Sequence, residues 1–283
     1  IYEDYNVYLI YKDLQRADFN RSWTGISYGS GYEGQGCVND EMTNYYVEFM
    51  KKHIFAYLNP PITSKVLPMY WYLGYNVYSK SVLEVGGVIL ASWIVPIHEN
   101  YDGLDYWCTC MFGEDNPSDP YLIPTDRALL DRRRKMILAP VLEKAVKAGN
   151  IIIPEEFEVG FDHVTNLIAG LGMEDDPNYY LTRGYPGSVN TYVFNSISEP
   201  ANNSYPPTNE ETFIGYMHLS MYYNQARLAE VYPADKYPFL TEKFAFVQKY
   251  LKDKYQIDLE AIANGPEDWD LPLPPIPETP DEE

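Results

Sequence analysis

The sequence predicts an α+β fold with strands mainly N-terminal and helices mainly C-terminal. Two observations carry this. Up to residue 112 the apolar runs are short and rich in β-branched and aromatic residues. Beyond residue 124 they recur at helical spacing and open on capping residues. No internal repeat is present, so residues 1–264 read as one domain and residues 265–283 as a proline-rich acidic tail.

The elements follow in chain order. YNVYLIYK (5–12) alternates and reads as a strand. SYGSGYEGQG (27–36) reads as a flexible loop. Asn39 then caps a helix of about 18 residues that aligns Met42, Tyr45, Tyr46, Phe49 and Tyr57 on one face. KVLPMYWYLGYNVY (65–78) and VGGVILASWIVPI (85–97) read as strands, the second apolar enough to be central. FGEDNPSDP (112–120) reads as a loop. A helical pattern fills 125–148, with Pro140 expected to kink or restart it, because proline removes an amide donor and crowds the preceding turn. The stretch 207–233 opens on the capping box Thr208/Glu211 and stops at Pro233. The last helix, 240–264, opens at Thr241 and stacks Phe244, Val247, Tyr250 and Leu251 on one stripe. Beyond Gly265 the chain has no periodicity, and Trp269 is available to pin it.

Composition narrows the functions. Forty-one acidic against 21 basic residues give a net charge of −20 over 283 residues. A nucleic-acid binder needs a basic face, and none exists here; an anionic membrane surface repels such a chain. Neutral or cationic partners suit it. No apolar run is long enough for a membrane helix. The first residue is Ile, which reads as a chain trimmed of a secretory or lipoprotein leader. Cys37, Cys108 and Cys110 are too few for a disulfide framework and lack a structural zinc pattern. They read as buried thiols, with a bridge from Cys37 to Cys108 or Cys110 as the alternative in an oxidising compartment.

Local motifs assign little chemistry. Gly29, Gly31 and Gly34 match G-x-G-x-x-G, but Asp40 and Glu41 open the following helix, and their charge repels a phosphate. His53, His98, His163 and His218 form no H-x-H or H-x-x-x-H pair, and His53 and His218 read as core or edge residues of helices. Gly184-Tyr-Pro-Gly187-Ser188 is not a nucleophile elbow. Glu114-Asp115 and Glu174-Asp175-Asp176 are loop acids of a type that binds calcium, without an EF-hand pattern; Glu210 and Glu211 suit a helix start. The surplus is aromatic: 28 Tyr and 5 Trp, with Tyr70-Trp71-Tyr72, Tyr45-Tyr46, Tyr179-Tyr180 and Tyr222-Tyr223 putting rings on both faces of their elements. Such rings either stack on ligands or fill a half-wet core with their hydroxyls bonded.

The order of YNVYLIYKDL, VLPMYWYL, GGVILA, GNIIIPEEF, NSYPPTNEETFIGYM and YPFLTEKFAFVQKYLKDKYQIDLEAI resembles substrate import-associated zinc metallohydrolase lipoproteins, a family of zinc-binding metallopeptidases, over most of residues 1–264. The resemblance implies a zincin-like fold and an H-E-x-x-H helix ahead of the P-E-E-F stretch, where two histidines hold zinc and a glutamate activates its water. The counterpart here is APVLE: Ala139 stands for the first His, Pro140 for the general base and Glu143 for the second His. No shift of register helps, because RRRKMILAPVLEKAVKAGN (132–150) holds no histidine. Glu210 and Glu211 resemble the family's acidic helix start, where a further acidic ligand belongs.

The sequence thus predicts a non-catalytic, exported outer-membrane lipoprotein on a metallopeptidase-like scaffold, without a metal. The resemblance implies an accessory role beside a TonB-dependent nutrient importer or a SusD-like lipoprotein. The expected ligand is a glycan or peptide in the old substrate cleft, with Trp71, Tyr72 and Trp93 as stacking candidates and no nucleic-acid partner. One alternative is a zinc hydrolase with ligands assembled from afar, such as His163 with Glu143 and Glu211. The other is an assembly partner of surface proteins.

Overall fold

A computed structural model describes residues 1–21, 31–101, 103–113, 119, 122, 124 and 126–267. The fold is mixed α/β, and the chain divides into two units. Among the described residues the first holds Ile1–Lys52 and Leu67–Leu130, the second His53–Val66 and Asp131–Glu267. Among these residues no helix is long and apolar enough to cross a membrane.

The first unit contains α1 (Tyr2–Tyr5), α2 (Arg16–Phe19), α3 (Asp40–Phe49) and a sheet of β1 (Tyr8–Ile10), β2 (Gly31–Gly36), β3 (Tyr70–Val85), β4 (Val88–Pro96), β5 (Glu99–Asn100) and β6 (Tyr106–Phe112). β3 organises it. β1 and β6 run parallel to its first half, while β2 and β4 run antiparallel to its later part. Every residue of β6 is buried, as are Trp71–Tyr75 of β3, so both strands are rich in large apolar side chains. The expected helix after Asn39 forms: the Asn39 side chain accepts from the Met42 amide at 2.8 Å, and α3 continues as a π-helical turn (Met50–Ile54) and a 3-10 turn (Phe55–Tyr57). Tyr46 fastens α3 to the sheet, its hydroxyl donating to the Gly74 carbonyl at 2.5 Å and accepting from the Met111 amide at 2.6 Å.

Two strand-region expectations are corrected. The glycine-rich stretch is a strand where it is described: Gly31–Gly36 pairs with β3, and Gly29 lies outside the described residues. Glycine is needed there for close approach, since a Cβ at Gly34 would meet Val77 at 2.8 Å and one at Gly36 the Tyr11 carbonyl at 2.3 Å. Residues 85–97 are not a central strand. β4 forms a hairpin with β3 around Gly86-Gly87, both at positive φ as a two-residue hairpin turn demands, and among the described residues pairs with β3 alone. Leu83, Val85, Val88, Ile89, Leu90, Trp93, Ile94 and Val95 are all exposed, Leu90 at 62% and Trp93 at 53%. An apolar run has the same sequence pattern whether both its faces are buried or both are bare.

The second unit is mainly helical: α4 (Pro60–Thr63), α5 (Arg127–Lys147, from Asp131 onward), α6 (Glu155–Glu158), the strand pair β7 (Ser188–Val189) and β8 (Ile197–Ser198), then α7 (Asn209–Tyr222), α8 (Gln225–Val231), α9 (Pro238–Tyr255) and α10 (Leu259–Asn264). α5 does not restart at Pro140 but runs through it. Met136–Ala139, Val141, Leu142, Ala145 and Val146 bury most of its circumference, and that packing holds the helix across the missing amide. Arg134 is fully buried and capped, its Nε and Nη2 donating to the Ile262 carbonyl at 3.0 and 2.7 Å. The capping box forms as expected, and Phe213, Tyr216 and Met217 are fully buried. The helical stretch 207–233 nevertheless divides: Tyr223 is extended and the Asn224 side chain caps α8 through the Arg227 amide at 2.8 Å. Likewise α9 starts at Pro238 rather than Thr241 and ends before Gln256, whose left-handed backbone leads to Asp258, the N-cap of α10.

All three cysteines are thiols and no disulfide joins Cys37 to Cys108 or Cys110; burial pushes the Cys37 thiol up to about 11. Glu114, Asp115 and Trp269 lie outside the described residues.

Candidate functional site

A cleft of about 760 Å³ opens in the second unit. One wall is the last two turns of α5, contributing Glu143 and Lys147. The facing wall is α7, contributing Glu210, Glu211, Thr212, Ile214, Gly215 and His218. The segments Tyr185–Val189 and Tyr205–Pro207 close its sides. α5 and the helix opened by the acidic capping box, 67 residues apart at Glu143 and Glu210, thus meet at one place.

The deep end is polar. The His218 ring donates to the Ala139 carbonyl, and because its Nε2 has no hydrogen-bond partner the donor is Nδ1. Nε2 lies 3.7 Å from Glu143 Oε2, too far for a hydrogen bond. Burial drives the imidazole down to about 4; Glu143 pulls it upward and Lys147 adds to the fall. His218 is therefore neutral at pH 7. One turn on, the Lys147 ammonium donates to Glu143 Oε1 at 2.5 Å, which raises its own pKa first through that bond and then through Glu210 and Glu211. Glu211 is occupied by the capping box: its Oε2 accepts from the Thr208 amide at 2.8 Å and hydroxyl at 2.9 Å, and these bonds hold its carboxyl below the usual range. Glu210 is exposed at the rim.

The sequence-derived candidates divide. Ala139, Glu143, Glu210 and Glu211 come together here, Ala139 through its carbonyl alone. Pro140 does not line the cleft. Neither does His163, which sits behind its wall: the imidazole Nδ1 bonds the Pro207 carbonyl at 2.7 Å, and Tyr185, beside it, donates to the Asp162 carbonyl at 2.8 Å. Trp71 and Tyr72 are corrected as stacking candidates. Both are buried in the first unit, Trp71 donating to Thr109 Oγ1 at 2.9 Å and Tyr72 stacked on Tyr106 at 4.5 Å, so neither ring can meet a ligand. Trp93 is exposed, on β4 and not in the cleft. His53 lies at 3.4 Å from Arg134 and His98 at 2.8 Å from Asp119, both buried. The sequence missed Lys147, Tyr185, Tyr205 and the placement of His218. Nothing local marks them, since they join the site through packing of α5 on α7.

A catalytic zinc needs three protein donors and an open position. The motif counterparts supply a methyl, a pyrrolidine ring and one carboxylate, His218 adds one nitrogen, and Glu211 is committed to its cap. Among the described residues no group of three or more His, Cys, Asp or Glu is placed to hold a metal ion, the acids at 174–176 included. The residues present do not fit zinc.

No family model and no curated protein matches the chain. It is similar to a crystal structure of a putative zinc-binding metallo-peptidase from Bacteroides caccae, at 13% identity and a TM-score of 0.44, over 93% of this chain and 85% of that one.

Proposed function

We propose that the chain is a non-catalytic binding protein and that its cleft takes a peptide. The observation behind this is the cleft itself, where Glu143 and His218 converge without a third metal-ligating group. A peptide suits it better than a glycan. Glycans need exposed aromatic faces, and of the two tyrosines lining the cleft Tyr185 is buried and only Tyr205, 82% exposed, is bare. Ser188 and Val189 of β7 also line it, and among the described residues β7 pairs only with β8, which leaves a strand edge on which an extended backbone can bond. The acids at the rim favour neutral or basic sequences.

Placement at the outer membrane as a lipoprotein, beside a TonB-dependent importer or SusD-like partner, rests on the sequence resemblance; fractionation of the full-length protein in its own cells tests it.

Equilibrium dialysis against a mixture of short peptides tests the binding reading. Retained peptides should bind with Kd of about 10–100 μM, and Tyr205→Ala, a change at an exposed ring, should weaken them about tenfold. Stoichiometric zinc uptake together with chelator-sensitive peptide cleavage would establish the zinc hydrolase instead.

A further inference from the structure

The deep end of the cleft holds an acceptor that has no donor. His218 is 8% exposed, its Nδ1 gives its hydrogen to the Ala139 carbonyl, and among the described residues its Nε2 meets no hydrogen-bond partner. The ring is neutral, so this nitrogen carries a lone pair and no hydrogen. Glu143 Oε2, a second acceptor, lies 3.7 Å away, while the Lys147 ammonium is bonded to the other carboxylate oxygen, Oε1. Two acceptors set against one another repel, and a buried one without a donor is a cost that an incoming donor removes. Glu143 gives the way in. Its side chain is partly exposed and lines the cleft, so a group bonded to Oε2 already stands beside Nε2.

We propose that Glu143 and His218 together seat a primary ammonium group of the bound peptide. This rests on the peptide reading of the cleft and names the group by which the peptide is held. Spacing, charge and shape all select an ammonium. Acceptors 3.7 Å apart can both lie within about 2.9 Å of a single nitrogen that donates to each. Positive charge is favoured, because Glu143, Glu210 and Glu211 set three carboxylates against one ammonium, that of Lys147, among the described lining residues. A guanidinium suits the place less well. Its donors form a rigid fork matched to the two oxygens of one carboxylate, whereas here Oε1 is taken and the two acceptors belong to different helices. A peptide carries such an ammonium at its amino terminus and on lysine side chains, and both present the same three N–H donors.

Equilibrium dialysis of the 283-residue chain against three random pentapeptide libraries, all amidated at the carboxyl end, tests this. The first has free amino termini and no lysine, the second acetylated termini with lysine, the third acetylated termini without lysine; arginine is present in all. The first or the second should be retained about tenfold better than the third, and whichever it is identifies the source as the amino terminus or lysine. Glu143→Gln, its folding checked by circular dichroism, should bring the favoured library down to the level of the third. The nitrogen resonance of His218 Nε2 should move as the favoured library saturates the protein, because the lone pair gains a hydrogen bond. Equal retention of all three libraries overturns the proposal and leaves the peptide reading standing, whereas retention of none overturns both. A preference that survives Glu143→Gln, or one that leaves the Nε2 resonance unmoved, puts the ammonium elsewhere and overturns the proposal as well.

Discussion

His218 shows how a single buried side chain ties the cleft to pH. Its folded-state pKa of about 4 lies below the ordinary value of 6.5, because burial penalises the imidazolium. The unfolded chain therefore takes up a proton between those values before the folded chain does. The stability from burying the neutral ring is complete above about pH 7 and is lost as pH falls through 6.5 towards 4. Between about pH 7.5 and pH 5 this residue alone should withdraw about 2 kcal/mol. Urea unfolding of the wild type and of His218→Gln at both pH values checks it: the variant should lose less on acidification, and equal losses would show that the ring is not held neutral. In the sequence His218 is one of four scattered histidines and, with His53, one of two read inside helices, and being a core histidine is compatible with facing Glu143. What the sequence lacked was the pairing of α5 with α7, which no spacing within either helix encodes.

At the scale of elements, the features written in consecutive residues were legible. The Asn39 cap and the Thr208/Glu211 box both depend on side chains reaching their own backbone within a turn. The misreadings came where tertiary packing overrode local pattern: glycines used for strand contact and an apolar strand left bare, while at Pro140, of the kink or restart expected, the restart does not occur. Lys243 of α9 shows the same override. The sequence places it on a helix as an ordinary charged residue, yet it is 3% exposed and its ammonium donates to the carbonyls of Phe157 at 2.8 Å and Val159 at 2.7 Å, closing the end of α6. Phe157, Phe161, Phe239 and Phe246 present their rings to it at 5.2–5.9 Å. Lys243→Met keeps the stem's bulk but leaves those carbonyls without a donor, and should cost about 3 kcal/mol at neutral pH. A loss under about 1 kcal/mol in urea unfolding would mean that water replaces the ammonium freely.

Across the whole molecule the tyrosine surplus has a structural use. Among the described residues four buried phenols fasten to main-chain carbonyls: Tyr46 to Gly74, Tyr106 to Phe19, Tyr185 to Asp162 and Tyr216 to Gly184. The sequence left ligand stacking and core filling open for these rings, because a phenol suits both; in these four it is the carbonyl bond that accompanies burial. A consequence follows for behaviour in alkali. Burial raises Tyr185 and Tyr232 to about 12, and Tyr106, Tyr180 and Tyr216 higher still. In the unfolded chain these hydroxyls ionise near pH 10, so the stability they hold is intact below that point and drains away as pH climbs from 10 to 12. An absorbance titration at the phenolate band should therefore not be the smooth sum of 28 independent groups. The surface tyrosines should ionise first and reversibly. The buried set should then ionise together in one steep step that coincides with loss of the near-ultraviolet circular dichroism, so that deprotonation and unfolding become a single event.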